Sequence, residues 1–273
     1  MKKLSILKNS RGFSLLEVLI ALTLTGVITA AILQAYVTQH RNYMVQDDVT
    51  AVQQSARAAI DEIGRHVRMA GNGLPAGVDG LIPVNSNPDS LWVRYRVDNC
   101  EATLDTTMAS VTADIICAGS VGCFEADQIA YIFHPDSGGG EWFWVTSVDS
   151  ANGRISHATA PLSQAYVEGA VVMTMEQVLF YVDQTTTPDN PLLMIQLPGQ
   201  AAQIYADNVS DLQFRYRIQS GAVVDNPLLI EDVREVLISV TGRSETPDAE
   251  ADEDEQYRER TYASAIHLRN IGL

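Results

Sequence analysis

From Phe13 to Leu33 the chain runs 21 residues with a single charge, Glu17. As an α-helix rising about 1.5 Å per residue, that stretch is roughly 31 Å long, enough to cross a hydrocarbon core of about 30 Å. The residues in front of it have the opposite character. Residues 1–12 carry Lys2, Lys3, Lys8 and Arg11 and no acid, a local charge of +4. A positive flank stays cytoplasmic, so the chain after about residue 37 is expected outside the cytoplasm. The apolar run exceeds the core of a secretory signal, and no A-x-A-like site with a clear break follows it. Phe13–Val37 therefore reads as a retained span.

Charge narrows the function classes. The 273 residues include 18 basic and 34 acidic ones, a formal net charge of −16. Without the leader, 14 basic residues face 34 acidic ones, a balance of −20, and all three lysines are gone. Such a chain is a poor partner for nucleic-acid phosphates. With 46% apolar residues it is too apolar to stay disordered, and it is long enough for one ordinary domain plus an extension.

Glu17 is the residue that a simple anchor does not explain. A carboxylate inside a spanning helix costs on the order of 2.5 kcal/mol or more to insert. It lies one helical turn after Phe13, and Phe13–Val37 holds no Lys, Arg or His. Scission between Gly12 and Phe13 would create an α-amine one turn from this carboxylate. On the same or a neighbouring copy, that amine is the nearest cation.

At these residues the sequence resembles a known family. Arg11-Gly12-Phe13-Ser14-Leu15-Leu16-Glu17, followed by the apolar run, resembles the type III signal of type IV prepilins and type II secretion pseudopilins. The resemblance implies that a prepilin peptidase cleaves after Gly12 and N-methylates Phe13. It also implies that Glu17 assists docking of the helix into a filament.

A helical pattern continues past the span. Val45, Val49, Val52, Ala56, Ile60, Ile63 and Val67 recur at spacings of three and four, with Asp47, Asp48, Gln54, Arg57, Asp61, Glu62, Arg65 and Arg68 off the stripe. Gly71 and Gly73 supply a stop. The spacing predicts a helix over about 14–69, near 84 Å at 1.5 Å per residue. Gly26 and Ala30 form a small-xxx-small pair that lets helices approach.

Beyond residue 74 the period changes to two. Leu91, Val93, Tyr95 and Val97 alternate with Trp92, Arg94 and Arg96, which reads as a half-exposed strand. Further strands are expected over 128–134, 141–148, 171–175, 179–182, 192–197, 212–218, 233–241 and 261–268, with a hairpin loop at Pro135–Gly140. The expected organisation is a leader over 1–12, a long helix over 13–70 (transmembrane over 13–37) and a β-rich head over 71–273. That is an α+β, pilin-like fold, with a long N-terminal helix packed on a mostly antiparallel sheet.

The resemblance extends loosely into the head. Arg57 to Gly73, ending HVRMAGNG, is similar to the end of the long helix in W-type (PilW-like) minor pilins. Ala206–Tyr216, Arg234–Val240 and Ala265–Asn270 are similar to later strands of that family. The family implies incorporation into a type IV pilus at or near its tip, supporting initiation and assembly. The implied partners are other minor and major pilins, prepilin peptidase and the inner-membrane assembly platform. The implied location is a single-pass inner-membrane protein with a periplasmic head, later at the pilus and cell surface. A J-type pseudopilin of type II secretion shares this outline, and a tip adhesin or ligand-binding module would use the same head.

Cys100, Cys117 and Cys123 fall in the expected extracytoplasmic part, where disulfides persist. One disulfide is expected, and the sequence does not choose among the three pairings. His40, His66, His134, His157 and His267 have no ligand-like spacing with these cysteines, so zinc is not expected. Glu245 to Glu259 holds eight acids and one arginine and reads as a solvated loop between strands. Within it Asp248, Glu250, Asp252 and Asp254 are weak calcium candidates, without the glycine and terminal glutamate of an EF-hand. Trp142, Phe143 and Trp144 offer either core and interface packing or a stacking surface, and Asn208-Val209-Ser210 is a sequon. No G-x-S-x-G, P-loop or H-E-x-x-H motif occurs. The chain reads as non-enzymatic with no cofactor; a membrane-anchored periplasmic enzyme would need a clustered titratable set in a head cleft.

Overall fold

The computed structural model describes residues 13–75, 77–136, 140–157, 161–245, 247 and 257–271. Helix α1 spans Leu15–Met69, 55 residues without a proline. Ser14 caps it: the Leu16 N–H donates to Ser14 Oγ at 3.2 Å, satisfying one of the donors that a helix start leaves open. The chain leaves the helix at Gly71, whose φ of +80° suits glycine. A Cβ there would stand 2.7 Å from the Asn270 carbonyl oxygen, so the exit requires glycine sterically as well.

Strands follow in the order β1 (Leu81–Val84), β2 (Ser90–Tyr95), β3 (Glu101–Leu104), β4 (Ile115–Ala118), β5 (Gln128–Phe133), β6 (Gly140–Asp149), β7 (Arg154–His157) and β8 (Val171–Thr174). Then come β9 (Glu176–Asp183), β10 (Leu192–Gln196), β11 (Gln203–Asp207), β12 (Val209–Ile218), β13 (Val223–Val224), β14 (Val233–Arg243) and β15 (Glu259–His267). They form a five-stranded sheet β1-β2-β9-β10-β11, a four-stranded sheet β13-β12-β14-β15 and a closed barrel β3-β4-β7-β6-β5-β8. Every pairing in them is antiparallel. The architecture is α+β and pilin-like: one long N-terminal helix with antiparallel sheets.

Two compact units divide between Thr50 and Ala51. The first is the N-terminal part of α1. The second combines the rest of α1 with all the strands. There, Val52, Ala56, Ile60, Ile63 and Val67 of the apolar stripe are buried, joined by Ala59 and His66. Of these, Ala56, Ala59, Ile60, Ile63 and Val67 share one core with Leu91, Val93, Phe180, Leu193, Phe214, Tyr216 and Ile238 from the two open sheets. Fully burying a side chain of that size stabilises by roughly 1.5–3 kcal/mol. The buried carboxylate of Asp89 ties the sheets together. Its N–H donates to the Leu212 carbonyl at 2.8 Å, and its Oδ2 accepts from the Phe214 N–H at 2.9 Å.

The barrel has a second core, including Leu104, Ile115, Ile132, Val145, Ile155 and Val172. It is an insertion. β2 and β9 are neighbours in the five-stranded sheet, paired from Leu91↔Phe180 to Tyr95↔Glu176, and the chain between those ends makes the barrel. The helix enters this unit beside Gly242, where a Cβ would lie 2.5 Å from Val52 Cγ1. The barrel starts at the opposite end, where the helix stops. There the Asn72 Nδ2–H donates to the Arg96 carbonyl at 2.9 Å, and the Arg96 N–H donates to the Asn72 carbonyl at 2.8 Å.

The alternation expected through Val97 ends early. β2 stops at Tyr95, Arg96 is buried and Val97 is 74% exposed. The reason is local: the Arg96 guanidinium turns inward to Glu101 Oε2 at 2.9 Å and to the Cys100 carbonyl at 3.2 Å as the chain enters the barrel.

Candidate functional site

The first unit carries Phe13 and Glu17, the residues expected to act in processing and assembly. The most apolar 18-residue stretch of α1 has a mean hydropathy of 2.2, and none of it is buried in the chain itself. Phe13 is 82% exposed, just ahead of the Ser14 cap. Glu17 stands in the first turn of α1, where the open N–H groups favour a negative charge. Gly12 and the rest of the leader lie outside the described residues. What results is an apolar rod with one carboxylate near its start and no Lys, Arg or His over Phe13–Val37.

The comparisons bear on this end of the chain. The prokaryotic N-terminal methylation motif matches residues 7–33. No curated protein and no solved structure matches the chain. The motif supports a type IV pilin-like or pseudopilin protein that prepilin peptidase processes, a structural rather than an enzymatic class.

In the second unit the cysteines resolve into one pair. Cys100 and Cys123 are disulfide-bonded with Cα atoms 5.7 Å apart, and Cys117 is a free thiol buried in the barrel core. Burial pushes that thiol up to about 11, so it is an inert filler at neutral pH. The bridge closes a loop of sequence separation 23, worth about 3 kcal/mol on the chain-entropy account. Reduction is therefore expected to lower the barrel's melting transition and to expose two further thiols. Thiol counting in denaturant should find one free cysteine before reduction and three after; three beforehand would contradict the pairing.

The aromatic run on β6 divides by face. Phe143 points into the barrel core. On the opposite face Trp142 meets the Tyr131 ring edge at 5.1 Å and the Arg94 guanidinium at 5.7 Å. Trp144 lies against Gly199, where a Cβ would be 2.2 Å from its Cζ3. Both indoles seat the barrel on the five-stranded sheet. The barrel's outer face also packs Tyr131, Phe133, Met173 and Met175 around Leu74 and Val78. Of the two uses open to these aromatics, interface packing is the one adopted.

Asn208 of the sequon is half-buried with φ of +59°, and its Oδ1, itself buried, finds no hydrogen-bond partner. The calcium candidates Asp248, Glu250, Asp252 and Asp254 lie outside the described residues. Among the described residues no group of three His, Cys, Asp or Glu side chains is arranged to hold a metal.

One polar cluster was not anticipated. His66, on the edge of the buried stripe, contacts Tyr95 Oη at 2.7 Å through Nδ1 and Glu62 Oε1 at 3.1 Å through Nε2. Glu62 also binds Arg65, and that hydrogen bond holds its carboxyl below the usual range. Beside them a cleft of about 310 Å³ opens between α1 and the β9–β11 side of the sheet, lined by Arg65, Val178, Ile195, Leu197 and Ile204. A signal existed in the sequence: His66 is four residues after Glu62 and three after Ile63, on the rim of the apolar stripe.

Proposed function

We propose that this chain is a minor pilin, incorporated into a type IV pilus at or near the tip, where it supports initiation and assembly. In this account residues 1–12 are the cytoplasmic leader, 13–37 cross the inner membrane and 71–273 form a periplasmic head. Prepilin peptidase cuts between Gly12 and Phe13 and methylates Phe13. Glu17 and the apolar rod then dock among the helices of other minor and major pilins, on the inner-membrane assembly platform.

The observation that carries the terminal position is the inserted barrel. It begins where α1 ends, at the Asn72–Arg96 contact, opposite the end at which the helix enters the unit. In a filament whose helices stack along the axis, extra mass at that end, the one farther from the membrane, occupies the space of a subunit ahead of it. A chain built this way suits an end position and low copy number.

The test combines mass and location. Intact-mass analysis of the membrane-extracted protein should show loss of residues 1–12 and gain of one methyl group. Antibody against the barrel should then label sheared pili at one end only. A mature chain beginning at Met1 would overturn the processing. Label along the whole filament would overturn the tip position, and recovery only with a type II secretion apparatus would make the chain a pseudopilin.

A further inference from the structure

His66 sits where the helix meets the five-stranded sheet, and its burial and contacts favour the neutral ring. Its ring is buried against Tyr95 of β2 and Phe180 of β9, with centroids 5.7 and 5.4 Å away. With a proton on Nε2 alone, both contacts are satisfied. Nε2–H donates to Glu62 Oε1, and Nδ1 accepts from the Tyr95 hydroxyl. A second proton removes the Nδ1 lone pair and forces Tyr95 to turn its own proton away inside a buried interface.

The neighbouring charges do not compensate. On α1, Glu62 attracts an imidazolium, but its carboxylate is already shared with Arg65. The Arg65 guanidinium approaches Nε2 to 3.2 Å and repels a cation there. From the sheet come the neutral hydroxyl of Tyr95, the ring edge of Phe180 and, on β11, the neutral Tyr205 beside the cleft.

We propose that His66 is an acid-sensitive latch, which in its neutral form fastens the five-stranded sheet to α1 and when protonated loosens the sheet along the cleft between α1 and β9–β11. The device lies wholly within the second unit and does not depend on the chain's position in a filament. Its sign follows from burial, which lowers the imidazole's proton affinity below the ordinary 6.5. As pH falls below about 6.5 the unfolded chain takes the proton first. The latch's contribution is thus complete above that value and is lost as acid approaches the lower folded value.

The test uses the full processed protein in detergent micelles. Between pH 7 and 5 the unfolding equilibrium constant of the wild type should rise up to about twenty-five-fold more than that of His66→Gln. Amide exchange over residues 178–206 should accelerate in acid in the wild type, while the barrel stays protected. Should His66→Gln not fold, the wild type decides alone through the His66 imidazole titration. A midpoint below 6.5 with accelerated exchange over 178–206 supports the latch. Parallel pH curves for the two proteins, a midpoint at or above 6.5, or exchange that does not respond to acid overturns it.

Discussion

Glu17→Gln should be processed and should accumulate in the membrane at the wild-type level, yet enter filaments at least about a hundredfold less well. Removing one partner from a charge pair held in apolar surroundings costs about 3–5 kcal/mol, because the other charge is left unpaired. Insertion is not the limiting step, since an uncharged side chain enters lipid at lower cost than a carboxylate. Once the proposed cut after Gly12 removes Arg11 and frees it, the α-amine of Phe13 is the nearest cation in sequence, about 6 Å away along the helix axis. Quantifying the variant in membranes and in sheared pili separates insertion from assembly. Equal recovery of wild type and variant in pili would make Glu17 a passenger, held only by the helix N-terminus in which it sits.

A second large effect is expected at Phe180. Its ring is fully buried, 0% exposed, between the helix and both open sheets, and its edge meets His66. Phe180→Ala should cost about 3–5 kcal/mol, from lost transfer energy plus the cavity left behind. Against a typical total of about 5–15 kcal/mol, that is enough to deplete the folded protein. Val97→Ala, at a residue 74% exposed, should stay within about 0.5 kcal/mol. Chemical denaturation of both variants measures the contrast, and equal midpoints would contradict the packing described.

What could be read from the sequence follows the strength of local pattern. The helix was legible because its stripe repeats from Val45 to Val67 without a proline, and its exit because Gly71 and Gly73 stand together. Longer strands such as β6 and β14 were legible to within about two residues, because their alternation outlasts noise. Of the two- to five-residue strands β8 and β10 were legible, while β1, β3, β4, β7, β11 and β13 were not, since so short a segment carries few alternations. The barrel was invisible for a deeper reason. That β2 pairs with β9 across 80 intervening residues is a long-range fact, and no local period encodes it. The same holds for Cys100 with Cys123, and for His66 with Tyr95. The N-terminal motif was legible throughout because its signal is linear.

The seam between β2 and β9 has a consequence for how such a chain can change. Tyr95 and Glu176 are cross-strand partners, so the two ends of the insertion meet as the two arms of a hairpin do. A short turn, or any domain whose termini lie side by side, fits the same socket without altering the register of β1, β9, β10 or β11. The core that grips the helix draws nothing from inside the barrel; its members stop at Tyr95 and resume at Val178. Recombination at this one seam can therefore exchange what the chain displays while keeping the core that grips the helix, and only the seat of Trp142 and Trp144 on the five-stranded sheet has to be refitted.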